Sequence, residues 1–287
     1  MDKQQSADAA AQLLGALLVA RRDAKALYLP AGTHHDGSPR PAGWVAQRSK
    51  FTKGDFRAHL LDTKCLGTYL HSRESTCKFV AFDIDLKPEG PYFIVRDLDE
   101  LERMEAQGAY EGTLDPDARV GPLEAALHDP DMEAHRWARC LVRETAMRVA
   151  AQVDKVLNLP VLPVVTGGGA HVIVPFGDLV PGVEARAMAH SVLENVAGFW
   201  RKSESFYKNA PDDVEGWVEI EVFPKQDGLS EPDSLGNLLR LPLGWHLEAN
   251  MRTYFLDLQR SVPPWDLPRR RSLDTLRECA EALGLDA

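Results

Sequence analysis

The sequence predicts an α/β chain of the α+β kind, one sheet-based core with an N-terminal α/β lobe, and three observations point there. FVAFDIDL (79–86) and WVEIEVF (217–223) alternate apolar with acidic or small residues at the period of a strand that buries one face. VLPVV and HVIVPF are β-rich runs separated by TGGGA. Residues 8–22 and 133–157 instead repeat apolar side chains at helical spacing.

Composition bounds the possibilities. With 287 residues, 44% hydrophobic and 26% charged, the chain has the make-up of an ordinary soluble protein with a sizeable core. Its apolar runs are too short to span a bilayer, and its first residues lack a cationic segment ahead of an apolar one, so a cytoplasmic chain with no membrane partner is expected. Cys65, Cys77, Cys140 and Cys279 are scattered without a C-x-x-C pair, which favours reduced, buried thiols over a zinc module or disulfides. A net charge of −10 argues against a surface that grips long duplex DNA, but leaves room for a local basic groove. Lys50, Lys53 and Arg57, Arg201 and Lys202, and Arg269, Arg270 and Arg271 are the basic clusters. Much of the acid falls between residues 97 and 131.

In order, residues 8–22 form an amphipathic helix through Leu13, Leu14, Leu17 and Leu18, KALYL a strand, and HHDGSPRPAGW a loop whose His34 and His35 read as solvated. A short helix starts near Gly54 or Asp55, and CLGTYLH is a strand that the Ser72–Thr76 turn joins to the next, as a hairpin. Residues 87–131 read as a partly helical insertion, with helix-like islands at 97–104 and 122–127. The helix of 133–157 carries Trp137, Leu141, Val149, Val153 and Val156 as its stripe and stops at Asn158-Leu159-Pro160. A further helix spans 183–200, with Met188, Ala189, Val192, Val196 and Trp200 on its apolar side. From Asn250 the chain is a closing extension ending in a helix over 272–285.

Chemistry concentrates in three stretches. On the first strand Asp83 and Asp85 share a face about 6 to 7 Å apart, and two carboxylates that close repel unless protonated or bridged by cations. They are either a divalent-metal site or a polar sheet face. Thr166, Gly167, Gly168, Gly169 and Ala170 precede His171, forming either a turn whose glycines take positive φ and whose amides meet an anion, or a flexible hairpin turn before an ordinary histidine. Glu219 and Glu221 share one face of the last strand. Lys225 follows immediately and Asn237 and Arg240 flank the next apolar run, where Lys225 and Arg240 could equally be surface charges.

Together, FDID, TGGGAHVIVPF and EIEVFPKQ resemble the motifs of the archaeo-eukaryotic primase superfamily in type, order and separation. LGTYLHSRESTCKFVAFDID and the GN-x-x-RLPLG that follows FPKQ are most like primase-polymerase domains of bacterial mobile elements, conflict systems and CRISPR-associated proteins. Polymerase domains of bacterial end-joining ligases share the broader pattern. The resemblance covers approximately residues 50–246 and implies an RRM-like antiparallel catalytic sheet with packed helices. It implies a catalytic domain over 1–255 and a helical extension over 256–287. Within the domain it places a lobe at about 1–75, the insertion at about 87–131 and the core at about 76–86 and 132–250.

The resemblance further implies that Asp83, Asp85 and Glu221, with Glu219 as the alternative third ligand, hold two divalent ions, Mg2+ or Mn2+. It places Thr166 (where a serine is common), Gly168, Gly169, His171, Lys225, Asn237 and Arg240 on the nucleotide. The activity it implies is template-directed primase-polymerase chemistry, making primers de novo and extending them. Its partners would be nucleoside triphosphates, a single-stranded DNA template and primer, and a helicase or a CRISPR or mobile-element protein. Template contact would use Lys50, Lys53, Arg57 or Arg201, with Trp200 for stacking. The rival readings are an end-joining gap-filling polymerase, a catalytically silent nucleic-acid-binding module, and a metal-dependent phosphodiesterase.

Overall fold

The computed structural model describes residues 3–33, 38–86, 126–130, 135–209 and 218–285. His34, His35, Trp217, the island at 97–104 and all but the end of the 87–131 insertion lie outside the described residues.

The N-terminal part comprises α1 (Lys3–Leu18), β1 (Lys25–Leu29), β2 (Gly32–Thr33), β3 (Pro39–Arg40), β4 (Gly43–Gln47), α2 (Lys53–Leu60) and β5 (Cys65–Tyr69). Next come β6 (Thr76–Leu86), α3 (His135–Leu157), β7 (Leu162–Val165), β8 (Gly169–Pro181), α4 (Gly182–Leu193), β9 (Trp200–Arg201), β10 (Phe206–Lys208) and β11 (Val218–Phe223). The chain closes with β12 (Leu238–Arg240), β13 (Trp245–His246), β14 (Met251–Arg252), β15 (Tyr254–Phe255) and α5 (Ser272–Ala282).

Two antiparallel sheets organise these elements. Seven strands run in the order β15-β7-β8-β6-β11-β10-β9, and four in the order β12-β5-β1-β4. The protein is therefore α+β, with its long strands β6 and β8 central, as the alternating stretches predict. One face of the large sheet, through Val80, Phe82, Ile84, Val172, Val174, Ile220 and Val222, packs on α3 and α4. On the opposite face Phe79, Ala81, Ile173 and Phe223 are covered by Leu14 and Leu17 of α1 and Leu276 of α5.

Local chemistry sets several boundaries. The Thr52 hydroxyl accepts from the Asp55 amide (3.1 Å) and the Asp55 carboxylate accepts from the Thr52 amide (3.0 Å), a capping box that starts α2. The Asp55 carboxylate also binds Lys25 Nζ at 2.5 Å, which ties α2 to β1. At the end of α3, Asn158 takes φ 50° and its amide reaches the carbonyl of Asp154 at 3.0 Å. Val156, assigned to the buried stripe from sequence, is 38% exposed in that last turn.

The structure corrects two expectations. β5 and β6 do not form a hairpin: β5 lies between β1 and β12 while β6 lies between β8 and β11, so both edges of each strand are already taken. Only an isolated bridge from His71 to Cys77 joins them across the turn. The helix expected over 183–200 ends at Leu193, and Gly198, at φ +79°, belongs to the turn that redirects the chain into β9. Trp200 thus leaves the apolar side of a helix for an exposed sheet edge. Among the described residues no helix is long and apolar enough to cross a membrane, and all four cysteines are free and buried.

Candidate active site

Each central strand changes from apolar to polar at the same height. In register, Ala81 stands between Ile173 and Phe223, Asp83 between His171 and Glu221, and Asp85 between Gly169 and Glu219. Residues directly opposed in antiparallel strands share a face, with Cα atoms about 4.5 to 5.5 Å apart. The apolar half of the face is therefore roofed by α1, and the next two rows carry four carboxylates and a histidine. The separate alternations of FVAFDIDL and WVEIEVF converge here.

Three of these acids have a basic side chain within reach. His171 Nε2 lies 3.0 Å from Asp83 Oδ1, Lys208 Nζ lies 3.3 Å from Glu219 Oε1, and Lys225 Nζ contacts Glu221 Oε1. Burial raises the Glu221 pKa above the usual carboxylate value; Lys225 opposes this, while the charges of Asp83 and Glu219 add to it. The donor set is hard oxygen, the chemistry a divalent cation takes. Among the described residues, no three His, Cys, Asp or Glu side chains are drawn together tightly enough to hold a metal ion. Glu221 and Glu219 would have to turn from their lysines to do so.

The glycine turn differs from expectation in its physical cause. None of Gly167, Gly168 and Gly169 has positive φ. Space is the constraint: a Cβ on Gly169 would stand 1.8 Å from the Ile84 carbonyl oxygen, and one on Gly167 would stand 2.7 Å from both Ala249 Cβ and His246 Nε2. Thr166 closes the turn, its amide donating to the Gly169 carbonyl (3.0 Å) and its hydroxyl accepting from the Gly169 amide (3.2 Å). The Gly169 amide is thereby engaged within the turn. Gly168 is half-buried, and its carbonyl accepts from the Leu86 amide at 3.2 Å.

Asn237 and Arg240 stand further off. The Asn237 carboxamide oxygen accepts from the Lys225 amide (2.9 Å), so this residue positions the lysine. Arg240 belongs to the small sheet, where its guanidinium lies 5.3 Å from the Tyr28 ring centroid and 5.1 Å from that of Trp44 and donates to Cys65 Sγ (3.1 Å). Of the basic residues considered for template contact, Arg57 is bound by Asp8 (2.6 Å), and Arg201 is paired in register with Tyr207 on the helix-covered face. Neither joins the carboxylate face.

Sequence reasoning missed a group between the two sheets. His246 sits beside the glycine turn, and burial, with the charges of Arg240, His171 and His128, pushes its pKa down to about 4. His128 donates from Nε2 to the Thr166 carbonyl (3.0 Å), and the Tyr28 hydroxyl donates to Glu248. His246 lies in the already noted RLPLGWH stretch; for His128, 38 residues before Thr166, no local signal exists.

The sequence model of the archaeo-eukaryotic primase domain of TOTE conflict systems matches residues 43–269. Among solved structures, the polymerase domain of Mycobacterium tuberculosis Ligase D in complex with DNA is similar at 12% identity, over 97% of this chain and 88% of that one, with a TM-score of 0.39. No curated protein matches the chain.

Proposed function

The chain belongs to the family of archaeo-eukaryotic primase domains described for TOTE conflict systems, and from that premise we propose that it catalyses template-directed nucleotidyl transfer, starting primers de novo on single-stranded DNA and extending them. The observation that carries this reading is the pair of adjacent cross-strand rows that sets Asp83, Asp85, Glu219 and Glu221 on one face beside His171.

Asp83, Asp85 and Glu221, with Glu219 as alternative, would hold two divalent ions, Mg2+ or Mn2+. Bound there, such ions supply Lewis-acid stabilisation of charge on the phosphoryl oxygens and acidify the attacking hydroxyl. The protein's own groups position and neutralise. Lys225, paired with Glu221 in this structure, is the ammonium placed to take a triphosphate oxygen instead. Asn237 fixes the backbone from which that lysine extends. His171, beside Asp83 at the start of β8, presents its imidazole to the same phosphates. Gly169, whose missing Cβ leaves room for the Ile84 carbonyl, and Thr166, which closes the turn onto it, keep β8 in register beside β6 beneath the substrate. Arg240, stacked on two rings, offers a preorganised guanidinium to the sugar or phosphates. No covalent nucleophile is needed.

The test is an unprimed single-stranded DNA template with labelled ribo- or deoxynucleotides and Mg2+ or Mn2+ in turn. The wild-type chain should make dinucleotides and longer products. Asp83→Asn and Glu221→Gln should each cut incorporation by roughly 10²–10³-fold or more with unchanged thermal melting. Undiminished synthesis by the double variant overturns the reading. Products only from primed templates would assign gap filling in place of priming.

A further inference from the structure

The polar face continues past the carboxylates to the edge of the sheet. Glu221 is opposed by Phe206 and Glu219 by Lys208 on β10, and Lys208 is opposed by Trp200 on β9. Opposed residues share a face, so Phe206, Lys208 and Trp200 extend the carboxylate rows, and the 3.3 Å contact from Lys208 to Glu219 confirms the direction. The intervening residues point the other way. Tyr207 is 1% exposed, with its hydroxyl at His190 Nδ1, and Arg201 reaches Glu194.

Two aromatic rings are thereby left open next to the acids. Trp200 is 47% exposed and Phe206 37% exposed. Phe206 is one strand spacing from Glu221, about 5 Å, and Trp200 is two from Glu219, about 10 Å. Lys225 lies 5.9 Å from the Phe206 centroid and 4.8 Å from that of Phe223, so an ammonium borders the rings on the side of the acids.

We propose that β9 and β10 form a stacking platform for unpaired bases of a single-stranded nucleic acid, with Lys208 and Lys225 facing its phosphates. The inference rests on the nucleotidyl-transfer reading and names where the strand lies. Two separate rings interleaved with lysines suit bases joined by phosphates; a packed protein partner takes a larger continuous apolar patch. The chain's charge of −10 gives a polyanion no long-range attraction, so affinity at this edge has to come from stacking with few phosphate contacts. Binding should therefore fall only shallowly with salt.

Fluorescence anisotropy with a labelled single-stranded oligonucleotide, ribo- and deoxy- in separate arms and with metal chelated, tests this without catalysis. Trp200→Ala and Phe206→Ala should each weaken binding roughly 10- to 100-fold, Trp200→Phe should restore most of it, and Arg201→Ala on the opposite face should bind like wild type. Thermal melting should be unchanged, since both rings are exposed. An oligonucleotide carrying 5-iodouracil should photocrosslink to the peptides containing Trp200 or Phe206. Affinities of both alanine variants within twofold of wild type, crosslinks confined to other peptides, or a wild-type chain that binds no single strand would overturn the platform. The two ideas fail separately: normal incorporation with unaffected binding by the ring variants sinks the platform alone. A wild-type chain that stacks a strand on these rings but incorporates nothing sinks the polymerase reading alone.

Discussion

His59, on α2 and fully buried against β5 and the segment after β12, has a tautomer dictated by its neighbours. Its Nε2 donates to the Pro242 carbonyl (3.0 Å) and its Nδ1 accepts from the Leu66 amide (3.1 Å). A second proton on Nδ1 would face an N–H donor. Burial, only partly offset by the Pro242 carbonyl, pushes its pKa down to about 4 from an ordinary 6.5. The unfolded chain then takes up a proton that the folded chain refuses, so this contribution to stability is whole above about pH 6.5 and is lost as pH falls from there toward 4. In urea titrations from pH 7 to 4.5, wild type should lose up to about 3 kcal/mol more than His59→Asn. Equal losses in both proteins would show that His59 is not the group responsible.

At the scale of the elements, the hairpin of β7 and β8 is held by a close backbone approach. Gly169 lies against the backbone of Ile84, where a methyl group would overlap the carbonyl oxygen at 1.8 Å. Gly169→Ala must therefore push β8 from β6 just where Asp85 and His171 are placed. The expected cost is about 2 to 4 kcal/mol, read as a lower urea midpoint, with incorporation falling further than stability because the carboxylate rows lose register. Gly43, where an added methyl group would meet nothing within 4 Å, is the control: Gly43→Ala should leave both unchanged. The sequence showed that three glycines precede His171, but their reason, a missing Cβ volume, depends on a strand distant along the chain.

At the scale of the whole molecule, a row of arginines on α3 holds the closing extension. Arg143 donates to the carbonyls of Arg260 (2.8 Å), Val262 (3.1 Å) and Pro263 (2.7 Å), Arg139 donates to that of Trp265 (2.7 Å), and Arg136 stacks on the Trp265 ring. Their spacing of three and four residues puts them on one face of the helix. Arg143 is itself buried, so Arg143→Met would take this donor from the carbonyls of Arg260 and Val262, while that of Pro263 keeps the Asp266 amide (2.9 Å), and should cost about 3 to 5 kcal/mol. Hydrogen exchange should then speed up across 258–270 before it does in β6, with Arg143→Lys restoring only part of the protection. Uniform exchange across the chain would mean that the extension is not held by this arginine. A sequence reading finds the prolines of this extension and the helix of α3, but an arginine that binds carbonyls is indistinguishable there from one on a wet surface.

What the sequence determined unaided is the character of the strands that carry the acids and of the longer helices. Period-two alternation put Asp83 with Asp85, and Glu219 with Glu221, on single faces, and helical spacing marked α1 and α3. It left open which strands are neighbours, which is why β5 and β6 looked like a hairpin and belong to different sheets. It also left open the register. A slip of two residues keeps every side chain on its face yet would move Asp83 from Glu221 to Glu219 or Phe223. Only packing of the apolar rows under α1, together with the close approach at Gly169, selects the alignment in which all three strands turn polar at one height.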